Sequence, residues 1–255
     1  MWHNVQLKHT QALEKSDLML LKSIVNAHAK TATEAFYLEL AVLPLNHRLS
    51  VRRFMYLWHI LHRDGDELIR KIYQAQKCLS VKGDWTELVE ADRAKYGISE
   101  SDSEISEMSR NKFKSKILKK IEAHAVRNLN NIAENHSKSE QIVNYEFEKK
   151  AYFTDRRFSK SDVQLMFSLR TKMLDCKTNF QNQYEEDLSC RFCKDKNKLE
   201  DEDHILQCIV LNNDKTDVKF SDVFGNIDQQ YKVVQVFKTV MRRRKVYLEI
   251  MQKSS

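Results

Sequence analysis

Only four glycines and a single proline punctuate this 255-residue chain. Tight turns and sheet corners draw on both, glycine for positive φ and proline for a preset φ. Helix interiors exclude both. A chain this long with so few of them has little material for a strand-and-turn fold. It predicts a mostly α protein: a multi-helix bundle with a small C-terminal metal-binding element and a final amphipathic helix. Apolar residues make up 42% and charged residues 31%, which fits a globular chain with a core.

Periodicity and caps place the helices. Leu13, Leu20, Leu21, Ile24 and Val25 give a broad apolar face, so the first helix is expected to be well buried. Thr31 and Glu34 have capping-box spacing before "AFYLELAV", and Pro44 is placed to start the next helix. There Val51, Phe54, Met55, Trp58 and Leu61 form an amphipathic stripe. "DELIRKIYQAQ" follows, then "WTELVEADRAKY", capped by Asp84 and Glu87. "GISESDSE" reads as an exposed hinge, and a long helix is expected over 104–133 with Phe113, Ile117 and Ile121 on one ridge. After "NHSKSE" come a shorter helix, a helix marked by Leu165, Leu169 and Met173, and a last one carrying Val233, Phe237, Val240, Leu248 and Met251. A short strand pair is expected near the cysteines. The expected regions are 1–98 (helical), 99–182 (helical and basic) and 183–255 (metal module plus final helix).

Three of five cysteines and one histidine fall in "CRFCKDKNKLEDEDHILQC", spaced C-x2-C-x10-H-x3-C. Cys190 and Cys193 can share one tight turn. His204 and Cys208, four apart, can share one helix face. Four such ligands suit structural Zn²⁺, and a full set leaves no open position for a catalytic water. Thiolates are poor ligands for Ca²⁺ despite the acidic loop. Cys78 and Cys176 read as ordinary packed thiols on helices.

No Gly-rich phosphate loop, G-x-S-x-G or H-E-x-x-H occurs, and no pair of aspartates is set to hold catalytic Mg²⁺. The expectation is a non-enzyme. There is no run of about 18 apolar residues and no signal-peptide pattern, so an intracellular chain, in nucleus or cytoplasm and without a membrane role, is expected.

The net charge is +7. Basic residues cluster at Lys112, Lys116, Lys119 and Lys120; at Arg156, Arg157 and Lys160, interleaved with Tyr152, Phe153 and Phe158; and at Arg242, Arg243 and Arg244. Such clusters can pair phosphates, and aromatic rings among them can stack bases, so RNA or DNA is the expected partner. A solvated helix face or an acidic protein partner explains the same pattern.

Several ordered blocks carry a resemblance: "LEKSDLMLLKSIVNAHAKTATEAFYLELAVLPL", "RRFMYLWHILHRDGDELIRKIYQAQ", "KGDWTELVEAD" and "LRTKMLDCKTNFQNQY" before the Cys/His run. Together they resemble the region downstream of the reverse transcriptase domain in non-LTR (LINE-type) retrotransposon polyproteins. The resemblance implies a helical thumb and a zinc-binding tail that grips nucleic acid, with Cys190, Cys193, His204 and Cys208 as ligands. The polymerase's aspartate signature and endonuclease motifs are missing from the sequence, and "LNHRLS" departs from the family's pattern. The resemblance therefore implies a non-catalytic C-terminal fragment of such an open reading frame. The alternative is a helical protein-interaction module stabilised by zinc.

Overall fold

Helix starts follow local chemistry, while the faces those helices bury follow the tertiary neighbours. The computed structural model describes residues 7–27, 31–79, 83–134, 147–184, 187–193, 195, 197–212 and 217–253. The protein is mostly α, with ten α-helices among the described residues and one isolated antiparallel bridge, Ser189 to Leu199. That bridge is what becomes of the expected strand pair. The helix expected after "NHSKSE" lies outside the described residues.

The chain divides into two compact units, Met1–Leu20 with Val42–Asn135, and Leu21–Ala41 with His136–Ser255. Each unit is assembled from two separate stretches of chain, which no composition shift in the sequence marks.

In the first unit, α3 (Leu45–Leu61) packs against α7 (Arg110–Glu134), with α4 (Leu68–Leu79), α5 (Trp85–Tyr96) and α6 (Asp102–Glu107) around them. Pro44 stands at the N-cap of α3. The buried face of α3 is His47, Ser50, Phe54, Leu57, Ile60 and Leu61, rotated from the expected stripe. Val51, Met55 and Trp58 are half-buried beside it, and the Trp58 indole N–H donates to the Met108 carbonyl at 2.9 Å. α5 starts where expected: the Asp84 carboxylate accepts from the Glu87 N–H at 2.8 Å. It ends at Gly97, whose φ of 63° is the left-handed conformation a helix C-cap favours.

"GISESDSE" is not an exposed hinge. Ile98 and Glu100 are buried, and Ser101 with Glu104 forms the capping box that opens α6. The expected single helix over 104–133 is two. Met108 is extended, and the Ser109 hydroxyl then accepts from the Lys112 N–H, restarting the chain as α7. The ridge Phe113, Ile117 and Ile121 is fully buried as expected, and Ala125 and Leu129 extend it.

α1 (Leu7–Val25) corrects a second expectation. Val25 is buried, but Leu20 is 61% and Ile24 58% exposed, and Leu13 is exposed as well. An apolar face predicts burial only where a neighbour covers it.

In the second unit α10 (Ile227–Lys253) packs against α8 (Lys160–Arg170), α9 (Glu202–Gln207) and the 3-10 turns Ala151–Phe153 and Phe220–Phe224. Its Val233, Val234, Phe237 and Val240 join one core with Tyr152, Met166, Leu169, Phe192, Ile205 and Leu206. α2 (Thr33–Leu40) brings Phe36 to 5.0 Å from Phe167, ring centre to ring centre. Its N-cap is Ala32, without a side-chain hydrogen bond, so the Thr31–Glu34 capping box is not formed. α8 has a true capping box, Ser159 with Asp162, and Met173 lies beyond its end.

Candidate metal centre

The four predicted ligands come together. Cys190 and Cys193 stand on a turn whose base is the Ser189–Leu199 bridge. The Cys190 N–H donates to Lys198 O at 2.8 Å, and the Glu200 N–H to Leu188 O at 2.9 Å. The next residue, Asp201, caps α9 by accepting from the His204 N–H at 2.7 Å. α9 therefore begins at a fixed point. His204 lies in its first turn and Cys208 at its C-cap.

One ligand atom from each of Cys190, Cys193, His204 and Cys208 lies within 4.8 Å of the others. Cys193 Sγ is 3.4 Å from His204 Nε2, and Cys190 Sγ is 4.0 Å from Cys208 Sγ. Cys190 and Cys208 are buried; Cys193 and His204 are half-buried. This group can hold a metal ion.

Burial dominates the electrostatics of Cys190 and His204. Burial pushes the Cys190 thiol up to about 12, and the neighbouring Cys208 sulfur pushes in the same direction. The Phe192 and Cys193 N–H groups aimed at Cys190 Sγ act oppositely, favouring thiolate. Burial lowers the His204 pKa, which keeps a neutral imidazole with a lone pair to give.

The other two cysteines stand apart. Cys176 is buried but lies just before the 3-10 turn Lys177–Gln183, off any α-helix, with its thiol pushed up to about 12 by burial. Cys78, expected to be packed, is exposed on α4.

The basic residues expected to bind nucleic acid fall into different settings. Lys112 and Lys119 are exposed on α7 and form no ion pair among the described residues; Lys114, also exposed, joins them. Lys116 and Lys120 both pair with the buried Glu100, and Lys120 donates to Gly97 O at 2.6 Å. Arg156, Lys160 and Arg242 are exposed. Arg157 is held by Asp155 at 2.8 Å and Asp228 at 2.7 Å. Arg243 donates to Leu211 O at 3.2 Å.

Arg244 is a correction: it is only 2% exposed and bonds to Asp175 and Glu200, so it faces the protein. The rings among the second basic cluster are a correction too. Tyr152 and Phe158 are core residues, and Phe153 is half-buried, so none is an open stacking surface. The sequence signal was ambiguous because a buried aromatic and a stacking aromatic look alike without their neighbours.

No family model matches the chain, and no curated protein or solved structure matches it.

Proposed function

We propose that the chain is a non-catalytic, zinc-stapled helical module that binds RNA or DNA, and that it derives from the C-terminal region of a non-LTR retrotransposon polyprotein. The observation that carries the nucleic-acid reading is the set of exposed cations Lys112, Lys114 and Lys119, which form no ion pair among the described residues, on α7, a helix anchored by a fully buried ridge. A rigid helix that presents ammonium groups to solvent suits phosphate contacts, which supply most sequence-independent affinity.

Zinc is the metal that best fits the centre. Tetrahedral bonds of about 2.3 Å to sulfur and 2.0–2.1 Å to nitrogen place ligand atoms about 3.8 Å apart for S···S and about 3.6 Å for S···N. The Cys190–Cys208 and Cys193–His204 separations, 4.0 and 3.4 Å, lie close to those values. Three thiolates and an imidazole would saturate the ion, so its chemistry here is cross-linking.

A second reading, a protein-interaction module, draws on the exposed Leu13, Leu20 and Ile24 of α1 and Leu68, Ile72 and Leu79 of α4. Fluorescence anisotropy with labelled single-stranded RNA and duplex DNA separates the two. Binding that weakens steeply with salt supports the nucleic-acid reading. No binding to either at low salt leaves the interaction module.

A further inference from the structure

Between the two ligand pairs lies a carboxylate with no solvent exposure, Glu200. Its partners come from the cysteine turn and from α10. Arg191, placed between Cys190 and Cys193, forks onto it with Nε and Nη2 each at 2.8 Å, and the Arg191 N–H adds a longer bond at 3.3 Å. Arg244, on α10, reaches the same carboxylate with Nη2 at 3.1 Å and reaches Asp175 with Nη1 at 2.9 Å. The ring of Phe192, also between the two cysteines, has the Arg244 guanidinium 5.6 Å and the Arg191 guanidinium 5.9 Å from its centre. Two guanidinium groups from remote parts of the chain therefore flank one metal-site ring and share one metal-site carboxylate.

We propose that Arg244 is a positioning residue for the metal centre, so that metal binding and the docking of the C-terminal end of α10 form one linked equilibrium. This rests on the metal reading given above. The turn carrying Cys190 and Cys193 is held by one bridge, a few backbone bonds, the Arg191 fork onto Glu200 and the buried Phe192 ring, and the ligand cross-link adds the tie to α9. If the turn loosens, Arg244 loses Glu200 and Phe192 together and is left a buried cation with an exposed aspartate. An unpaired buried charge is strongly unfavourable, so the helix must shift until water reaches it. The fully buried apolar anchors of α10 lie on the other side of Arg244 from its C-terminal end. Val233, Val234, Phe237 and Val240 all precede Arg244, which is the last buried residue of the helix. Beyond it, Val246, Tyr247 and Ile250 are exposed, and the half-buried Leu248 and Met251 pack against the core, a lighter hold than the fully buried residues before it. Linkage is reciprocal: if metal holds this end of α10, then Arg244 strengthens metal binding by the same factor.

Hydrogen exchange on the full chain, with and without a zinc chelator, tests this directly. Zinc content is first fixed by plasma mass spectrometry. Removal of zinc is expected to speed exchange over residues 188–212 and, in the same step, over 241–253. Faster exchange over 188–212 with 241–253 unchanged overturns the linkage and leaves the metal reading intact. Protein that never carries stoichiometric zinc ends the metal reading and the linkage with it. A competing chromophoric chelator then gives zinc affinities. Arg244→Met is expected to weaken zinc about 10-fold, the lower end for outer-shell partners of metal sites. Asp175→Asn, which alters only an exposed partner, is expected to change it less than about three-fold. Unchanged affinity in folded Arg244→Met also overturns the proposal. If that variant fails to fold, the exchange experiment on the unmodified chain still decides.

Discussion

Tyr152 donates its phenolic hydrogen to the Glu39 carboxylate at 2.7 Å, joining residues 113 positions apart. Both side chains are fully buried, and Arg170 pairs with the same carboxylate oxygen. The Arg170 guanidinium also donates to Val223 O at 2.8 Å. An isolated buried carboxylate would be very unfavourable; here a cation and a hydroxyl satisfy one oxygen. Tyr152→Phe removes the hydroxyl and keeps the ring. It is expected to lower stability by about 1–3 kcal/mol in urea denaturation, with nucleic-acid affinity unchanged. Arg170→Met, which strands the charge, is expected to cost about 3–5 kcal/mol.

Metal removal should act on one corner of the protein. Cys193→Ser is expected to bring zinc below half an equivalent by mass spectrometry and to raise hydrogen exchange over 188–212. The ridge of α7, Phe113, Ile117 and Ile121, belongs to the other compact unit and should keep its protection. Loss of protection across both units would contradict a local staple.

His47 carries a pH dependence. It is buried on α3, shares a 2.8 Å hydrogen bond between Nδ1 and the Tyr96 hydroxyl, and has the His124 ring 5.8 Å away. Its pKa is lowered from 6.5 to about 4, first by burial, then by Lys95 and His124. Between those values the unfolded chain holds a proton that the folded chain does not. The His47 contribution is thus complete above pH 6.5 and lost progressively as the pH falls toward about 4. The difference in unfolding free energy between the unmodified chain and His47→Gln should shrink over that window. Because both proteins keep the metal ligands, acid release of metal cancels in the difference. A pH-independent difference would sink the assignment.

Charge reversal separates exposed cations from engaged ones. Lys112→Glu, Lys114→Glu and Lys119→Glu combined should weaken single-stranded RNA binding and lower the slope of log K against log salt by about 2, from roughly 0.7 per phosphate contact. Thermal stability should change little, since these side chains are exposed. Lys116→Glu, facing Glu100, should instead destabilise the α6–α7 corner. A triple variant that binds RNA as tightly as the unmodified chain would remove α7 from the interface.

Local features were readable from the amino acids. Scarce glycine and proline implied helices. Asp84 with Glu87 implied a helix start, Phe113, Ile117 and Ile121 implied a ridge, and the C-x2-C-x10-H-x3-C spacing implied the grouping of Cys190, Cys193, His204 and Cys208. Most of these depend on contacts within a few residues or on fixed helical spacing, and the ligand grouping on a short loop closed by the Ser189–Leu199 bridge, so the sequence was enough to suggest them. What a side chain does with its charge or its ring depends on remote neighbours. Lys116 and Lys120 meet Glu100, Arg244 meets Glu200, Tyr152 meets Glu39, and Leu20 and Ile24 stay exposed on a helix that looked buried. Only the tertiary structure decided those, because burial and pairing are properties of two surfaces in contact, and a periodic pattern describes only one of them.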